Sequence, residues 1–169
     1  IKTCHWEITK RCNLSCIHCI SYSPFIPKEL TTKECLKVID KLKEFGCREL
    51  FLTGGEPFVR KDIFLILSYA KKRGFYIGVI TNGVLIDKKE ALKMKGLVDK
   101  IGVSLDGRKA EINDKIRGKG TFKKIIKAIN LLNSAGFCLE LYITLCRINF
   151  MDLRNILKLA SLLEIERVN

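Results

Sequence analysis

Hydrophobic and polar positions follow two different periods along this chain, and the two periods alternate. Six short apolar runs predict strands over residues 5–9, 49–53, 75–81, 100–105, 137–145 and 166–169. Between them, apolar residues recur at helical spacing and predict helices near residues 32–45, 61–73, 87–95, 121–135 and 152–163. The first of these helices opens with a capping-box pattern, Thr31 to Glu34. Residues 108–120 are polar and are interpreted as a loop.

This alternation predicts the fold class. Strands that alternate with helices are typical of an α/β fold with a parallel sheet and right-handed crossovers. Five successive strand–helix units predict a partial TIM-like (β/α)6 barrel, truncated at strand six. We expect the 169 residues to form a single domain, residues 1–169, and to be a fragment of a longer protein because they end inside a predicted strand.

The chemically unusual residues follow the predicted strands. A loop with three cysteines comes after the first strand, Gly54-Gly55-Glu56-Pro57 after the second, Thr81-Asn82-Gly83 after the third and Ser104-Leu105-Asp106-Gly107 after the fourth. Ligand sites in parallel α/β folds lie at the carboxyl ends of the strands. The sequence therefore predicts one binding site along this rim.

The cysteine loop predicts a metal centre with an open position. Cys12, Cys16 and Cys19 provide three thiols at spacings of four and three. A closed structural zinc site has four ligands, and iron–sulfur clusters are ordinarily held by four cysteines. From the residues alone, a zinc site completed by His5 or His18 and a set of merely buried thiols both remain open.

The cysteine spacing, followed about 35 residues later by Gly-Gly-Glu-Pro, resembles the radical S-adenosylmethionine (SAM) superfamily. The resemblance implies that Cys12, Cys16 and Cys19 hold a [4Fe–4S] cluster whose fourth iron is chelated by SAM. It implies an enzyme in which the reduced cluster passes one electron to the sulfonium and the bond to the 5′ carbon breaks. The resulting 5′-deoxyadenosyl radical then abstracts hydrogen from a substrate.

The same resemblance implies a set of SAM contacts: His18, Gly54, Gly55, Glu56, Asn82, Ser104 and Arg117. The glycine backbone can approach a ligand closely, and Glu56 either accepts from the SAM ammonium or fixes the turn. Arg117 is expected near the SAM carboxylate, and His18 near adenine, where the family usually has an aromatic residue. Asn113 stands where the family usually has histidine, and no proton-transfer role is expected there.

The role of Asp106 stays open, and the subgroup of the family is assigned only broadly. Asp106 either serves the turn at Gly107 or contacts ribose, and no catalytic side chain is assigned. The resemblance is to the group containing molybdenum-cofactor, haem and pyrroloquinoline-quinone biosynthesis enzymes and peptide maturases. Its members typically carry a cysteine-rich SPASM-type C-terminal domain, and no such domain is expected within residues 1–169. It implies a small-molecule or peptide substrate and an external electron donor of the flavodoxin or ferredoxin type.

Composition and charge limit the expected partners and the expected cellular compartment. The net charge is +13, but acidic residues are interleaved with the lysines, so a nucleic-acid partner is not expected. No apolar run is long enough for a membrane span, and the cysteine usage predicts a reducing cytoplasm. The dispersed cysteines are interpreted as buried apolar side chains: Cys4, Cys35, Cys47, Cys138 and Cys146. The alternative functions are an iron–sulfur electron-transfer protein and a structural zinc-binding module.

Overall fold

The sheet contains six strands that lie in chain order. The structure is a computed structural model, and it describes residues 2–20 and 28–169. Every neighbouring pair of strands is parallel. The strands are β1 (Thr3–Thr9), β2 (Glu49–Gly54), β3 (Tyr76–Thr81), β4 (Lys100–Ser104), β5 (Cys138–Tyr142) and β6 (Arg167–Val168).

Helices connect successive strands, as the alternation predicts. They are α1 (Thr32–Glu44), α2 (Ile63–Lys72), α3 (Lys88–Met94), α4 (Ala110–Arg117), α5 (Thr121–Ser134) and α6 (Leu153–Leu162), with 3-10 turns at Pro57–Val59 and Phe150–Asp152. The predicted α/β fold with a partial barrel is confirmed. Within the described residues, β1 and β6 are the two edges of the sheet, so the barrel is not closed.

Side-chain caps define where two of the helices begin. The Thr31 hydroxyl accepts from the backbone amide of Glu34, and the Glu34 carboxylate accepts from the amide of Thr31 at 2.8 Å. This is the predicted capping box. Asp87 accepts from the amides of Lys89 and Glu90 at the start of α3.

The two faces of the sheet differ in chemistry. Alternate strand residues such as Leu52, Val79 and Val103 pack with the buried faces of the helices into one apolar core. The opposite face carries charged and aromatic residues, and a cavity there is lined by residues from all six strands. Because one cavity touches every strand, the sheet curves around its polar face.

The sequence prediction for the segment between β4 and α5 was wrong. Residues 108–120 are not all loop, because Ala110–Arg117 forms α4. Its buried residues are Asn113, Ile116 and Arg117, two of which are polar, and no side chain caps its first turn. The spacing of apolar residues therefore gave little indication of this helix.

The fifth strand is shorter than predicted and ends at Tyr142.

Candidate functional site

A cavity of about 440 Å³ lies at the carboxyl ends of the strands. It is lined by Cys12, Cys16, His18, Cys19, Ile20, Thr53, Gly54, Gly55, Ile80, Thr81, Asn82, Ser104, Arg117 and Thr144. Nine of the ten residues predicted for the site are in this set, and the exception is Glu56. Residues far apart in sequence therefore meet at one rim, as the strand-end rule predicts.

Backbone and side-chain bonds hold the cysteine loop against the rest of the rim. The amide of Ile17 donates to the carbonyl of Ile116 at 3.0 Å, which attaches the loop to the last turn of α4. The amide of Cys19 donates to the carbonyl of Cys16 at 3.1 Å. The sulfur of Cys12 accepts from the amide of Leu14 at 3.4 Å and faces Nδ2 of Asn82 at 3.7 Å. N–H donors beside a sulfur stabilise a thiolate ligand.

Gly54 and Gly55 make room for the chain that enters the cysteine loop. A Cβ on Gly54 would lie 2.2 Å from the carbonyl oxygen of Thr9, and one on Gly55 would lie 2.2 Å from that of Arg11. Gly54 also has a φ of 129°, which side chains disfavour. Both glycines line the cavity. Their missing side chains also serve a purpose that the sequence did not reveal, the close approach of two backbone segments.

Glu56 lies behind the rim and is completely buried. Its carboxylate accepts from the hydroxyl of Thr81 at 2.8 Å, from the amide of Asn82 at 2.7 Å and from the amide of Phe58 at 3.2 Å. Burial raises the pKa of Glu56 to about 7, although these three partners act to lower it. Of its two predicted roles, these contacts match fixing the turn, because Glu56 joins the ends of β2 and β3 without reaching the cavity.

Asp106, which follows β4, contacts residues from three other segments of the rim. One carboxylate oxygen lies 2.7 Å from Nε2 of His18 and 2.6 Å from Nε of Arg117, and the other accepts from the amide of Thr144 at 2.8 Å. The contact with Arg117 is an ion pair, without the alignment of a hydrogen bond at Nε. Asp106 is fully buried and does not line the cavity. Sequence reasoning placed Asp106 at a turn or on ribose and missed both side-chain partners.

Asn113 supports this arrangement from α4. It is fully buried, its Oδ1 accepts from the amide of Asp106 at 3.1 Å, and its Nδ2 donates to the hydroxyl of Thr121 at 3.0 Å. Asn113 does not line the cavity. Its side chain therefore connects α4 to the segment after β4 and to the start of α5.

The three thiols suit an iron–sulfur cluster in donor type and position. Burial raises the pKa of Cys12 and of Cys16, and the nearby guanidinium of Arg117 acts to lower that of Cys16. Within the described residues, no three His, Cys, Asp or Glu side chains are gathered as a single ion would require. Each cysteine ligand of a four-iron cluster binds a different iron, and Cys12, Cys16 and Cys19 all line the same cavity, so the donor set fits such a cluster.

The remaining cysteines and His5 lie away from this site. Cys35 and Cys47 are buried, as predicted, whereas Cys4, Cys138 and Cys146 are only partly buried. His5 lines the other cavity on the polar face and stacks on Phe51 with ring centroids 4.8 Å apart. A zinc site that uses His5 is therefore not supported, and the ring edge of His18 is turned to Asp106.

Known proteins resemble this chain in sequence. A family model described as the radical SAM superfamily matches residues 6–160. The chain is 38% identical to Fe-coproporphyrin III synthase of Methanosarcina barkeri over 167 residues, which cover 96% of this chain and 41% of the relative. It is 41% identical to mycofactocin maturase MftC of Mycolicibacterium smegmatis over 135 residues, covering 78% of this chain and 34% of the relative. The chain thus spans less than half the length of both.

Solved structures show the same fold. SuiB of Streptococcus suis bound to S-adenosylmethionine superposes with a TM-score of 0.86 at 17% identity, covering 98% of this chain and 39% of SuiB. SuiB bound to its precursor peptide SuiA superposes equally well, with a TM-score of 0.86. In the described part of the chain, no helix has both the length and the apolar character needed to cross a bilayer.

Proposed function

The chain belongs to the radical SAM superfamily of enzymes, which use SAM and an iron–sulfur cluster, and on that premise we propose that it carries the catalytic core of such an enzyme. In this proposal Cys12, Cys16 and Cys19 hold a [4Fe–4S] cluster, and SAM occupies the cavity beside it. When bound, the reduced cluster and SAM supply a 5′-deoxyadenosyl radical that takes hydrogen from a substrate.

One observation carries the proposal: three thiols, two glycine backbones and a guanidinium line the same cavity. SAM has a cationic ammonium and sulfonium, an anionic carboxylate and an adenosine. A cavity of about 440 Å³ lies within the range of small-molecule sites, and its wall combines charged, backbone and apolar groups.

In this proposal, different residues around the cavity contact different parts of SAM. Arg117 lines the cavity with a positive charge and would bind the SAM carboxylate by a charge-assisted contact. Gly54 and Gly55 present backbone to the SAM ammonium, and Ser104 contributes a hydroxyl for the methionyl or ribose part. His18 and Asn82 border the cavity beside the cysteine loop, with His18 placed to pack near adenine. Glu56 keeps the Gly-Gly turn in place from behind.

The relatives support a proposal for the substrate class. Those named above include a synthase of iron coproporphyrin and a maturase of mycofactocin. We therefore expect a substrate in cofactor or haem biosynthesis or a peptide, held at the carboxyl ends of the strands. An external reductant of the flavodoxin or ferredoxin type supplies the electron.

The proposal includes the cellular compartment and the domain organisation of the chain. We place it in a reducing cytoplasm, because all eight cysteines are free thiols. We treat residues 1–169 as one radical SAM core domain, because its strands form one sheet over one apolar core.

Anaerobic reconstitution with iron and sulfide, followed by reduction in the presence of SAM, tests the function. The proposal requires about four irons per chain and 5′-deoxyadenosine with methionine, both above the level of a Cys16→Ala control. Cys35→Ala is the matched control, because Cys35 is buried in the core away from the cavity and its loss should leave SAM cleavage intact.

The alternatives give different results in the same experiment. A brown protein that forms neither product would indicate an iron–sulfur electron carrier. A colourless protein that retains zinc would indicate a structural zinc module. Either result contradicts the proposed function.

A further inference from the structure

A single buried carboxylate connects three segments of the rim. Asp106 contacts His18 of the cysteine loop at 2.7 Å, Arg117 at the end of α4 at 2.6 Å and the amide of Thr144 beyond β5 at 2.8 Å. His18 and Asp106 are 88 positions apart in the chain. The cysteine loop, α4 and the segment after β5 therefore meet at one side chain.

The backbone of Asp106 is fixed as firmly as its side chain. Its amide donates to Oδ1 of Asn113 at 3.1 Å, and its carbonyl accepts from Nδ2 of Asn149 at 3.0 Å. Asn113, Asn149 and Asp106 are each fully buried. A buried group with all of its polar atoms engaged has a defined orientation, so this carboxylate is a rigid reference point.

The bond to His18 defines the orientation of that ring. An ionised carboxylate only accepts hydrogen bonds, so Nε2 of His18 is the donor. The cysteine loop is then attached to α4 at two adjacent residues. Ile17 bonds to the carbonyl of Ile116 at 3.0 Å, and His18 is linked through Asp106 to Arg117.

From these contacts we propose that Asp106 is a positioning residue that fixes the distance between the cysteine loop and the guanidinium of Arg117. The inference rests on the proposed function and deepens it. In that function the cysteine loop holds the metal and Arg117 binds the carboxylate of the same SAM molecule. Asp106 does not line the cavity and acts only through His18 and Arg117. Its negative charge also offsets that of Arg117 beside the thiols.

Asp106→Asn tests this role with little change in volume. The amide can still accept from Thr144, but its NH2 group then faces the donors of His18 and Arg117. We expect SAM affinity of the cluster-loaded chain, measured by equilibrium binding, to fall about tenfold or more, as for other residues that orient ligands. Unchanged affinity overturns the proposal.

Asp114→Asn is the matched control. Asp114 lies on α4, and its carboxylate accepts from the amides of Gly120 and Phe122 and from Nδ2 of Asn113. Unlike that of Asp106, its carboxylate forms no hydrogen bond or ion pair with His18 or Arg117. Both variants should lose stability, whereas only Asp106→Asn should lose SAM affinity. Equal loss of affinity in both would show that Asp106 serves the fold alone.

A second measurement uses the metal-free chain. Hydrogen exchange at the Ile17 amide should be about tenfold faster in Asp106→Asn than in the unsubstituted chain, because loop protection reports local opening. His18→Phe keeps an aromatic ring, leaves the Asp106 carboxylate in place and should show the same acceleration. An Ile17 amide that is unprotected in the unsubstituted chain, or unaffected by both changes, overturns the proposal.

The two hypotheses fail in different ways. If the unsubstituted cluster-loaded chain does not bind or cleave SAM, the proposed function fails. The exchange of the Ile17 amide still decides whether Asp106 fixes the loop.

Discussion

Two of the cavities lined by the described residues lie on the polar face of the sheet, and one of these lies away from the cysteine loop. It measures about 540 Å³ and is lined by Thr3, His5, Glu49, Phe51, Tyr76, Lys100, Glu140, Tyr142, Arg167 and Asn169. There the polar groups bind one another. Glu140 lies 2.9 Å from Nζ of Lys100 and 3.4 Å from Arg167, and His5 stacks on Phe51. The cysteine cavity, at the carboxyl ends, measures about 440 Å³.

At the cysteine cavity the contacts are arranged differently. Arg117 is held from behind by Asp106, and the turn after β2 is held from behind by Glu56, neither of which lines the cavity. The thiols and the two glycines line the cavity themselves. The comparison shows that size and polarity alone do not identify a binding site. What distinguishes the site is a wall of binding groups supported by a second layer that a ligand does not touch.

Two glycines, Gly55 beside the cysteine loop and Gly102 on β4, differ in what an added side chain would meet. A Cβ on Gly55 would lie 2.2 Å from the backbone oxygen of Arg11, whereas one on Gly102 would meet the ring of Tyr142 at 2.5 Å. A ring can turn aside, but the chain entering the cysteine loop cannot move without moving the thiols. We expect Gly55→Ala to lower the free energy of unfolding by more than about 3 kcal/mol and to abolish cluster binding.

Gly102→Ala is the counterpart at the other end. It should cost about 1–3 kcal/mol through overpacking and leave the iron content unchanged. Urea unfolding and iron analysis of both variants check the prediction. If Gly55→Ala binds four irons as readily as Gly102→Ala, the close approach at Gly55 is not what positions the loop.

Glu56 and Glu140 should give opposite dependences of stability on pH. Burial raises the pKa of Glu56 to about 7, above the ordinary value of 4.5. Between pH 4.5 and about 7, Glu56 is protonated in the folded chain but ionised in the unfolded chain. The free energy of unfolding is therefore highest below pH 4.5 and decreases as the pH rises towards 7. The shift in the pKa of Glu56 corresponds to a decrease of about 3 kcal/mol.

Glu56→Gln should flatten this part of the profile. Urea unfolding of the metal-free chain across this pH range, for both the unsubstituted chain and Glu56→Gln, measures the effect. A profile that keeps the same slope in Glu56→Gln would assign the titration to another group.

Glu140 provides the smallest expected effect and the opposite sign. Burial acts to raise the pKa of Glu140, but Lys100, Asn169 and Arg167 lower it below its ordinary value. Ionised Glu140 therefore stabilises the folded chain at pH values above its ordinary pKa. This stabilisation is lost as the pH falls through the lowered pKa of Glu140 in the folded chain. Glu140→Gln should reduce the free energy of unfolding by about 1–3 kcal/mol at neutral pH.

SAM cleavage should be unchanged in Glu140→Gln, because Glu140 lines the other cavity. Assays of 5′-deoxyadenosine formed by the cluster-loaded chain check this. A loss of cleavage without a loss of iron would show that the two cavities act together.

Much of the fold and of the candidate site could be predicted from local sequence. Apolar periodicity predicts all six strands and five of the six helices, because burial on one face imposes a spacing on each element separately. The strand-end rule then predicts that Cys12, Gly54, Asn82 and Ser104 lie on one rim. The structure does bring them to one cavity.

The order of the elements and the set of residues at the rim can be predicted from local sequence. Which rim residues line the cavity, and which are buried behind its wall, depends on contacts between distant segments of the folded chain. Glu56 was predicted with the ligand contacts but is buried against Thr81, and Asp106 was assigned to a turn or to ribose but joins His18 to Arg117. These contacts join residues from different elements, 88 positions apart in the case of Asp106 and His18, and no local spacing encodes such distances.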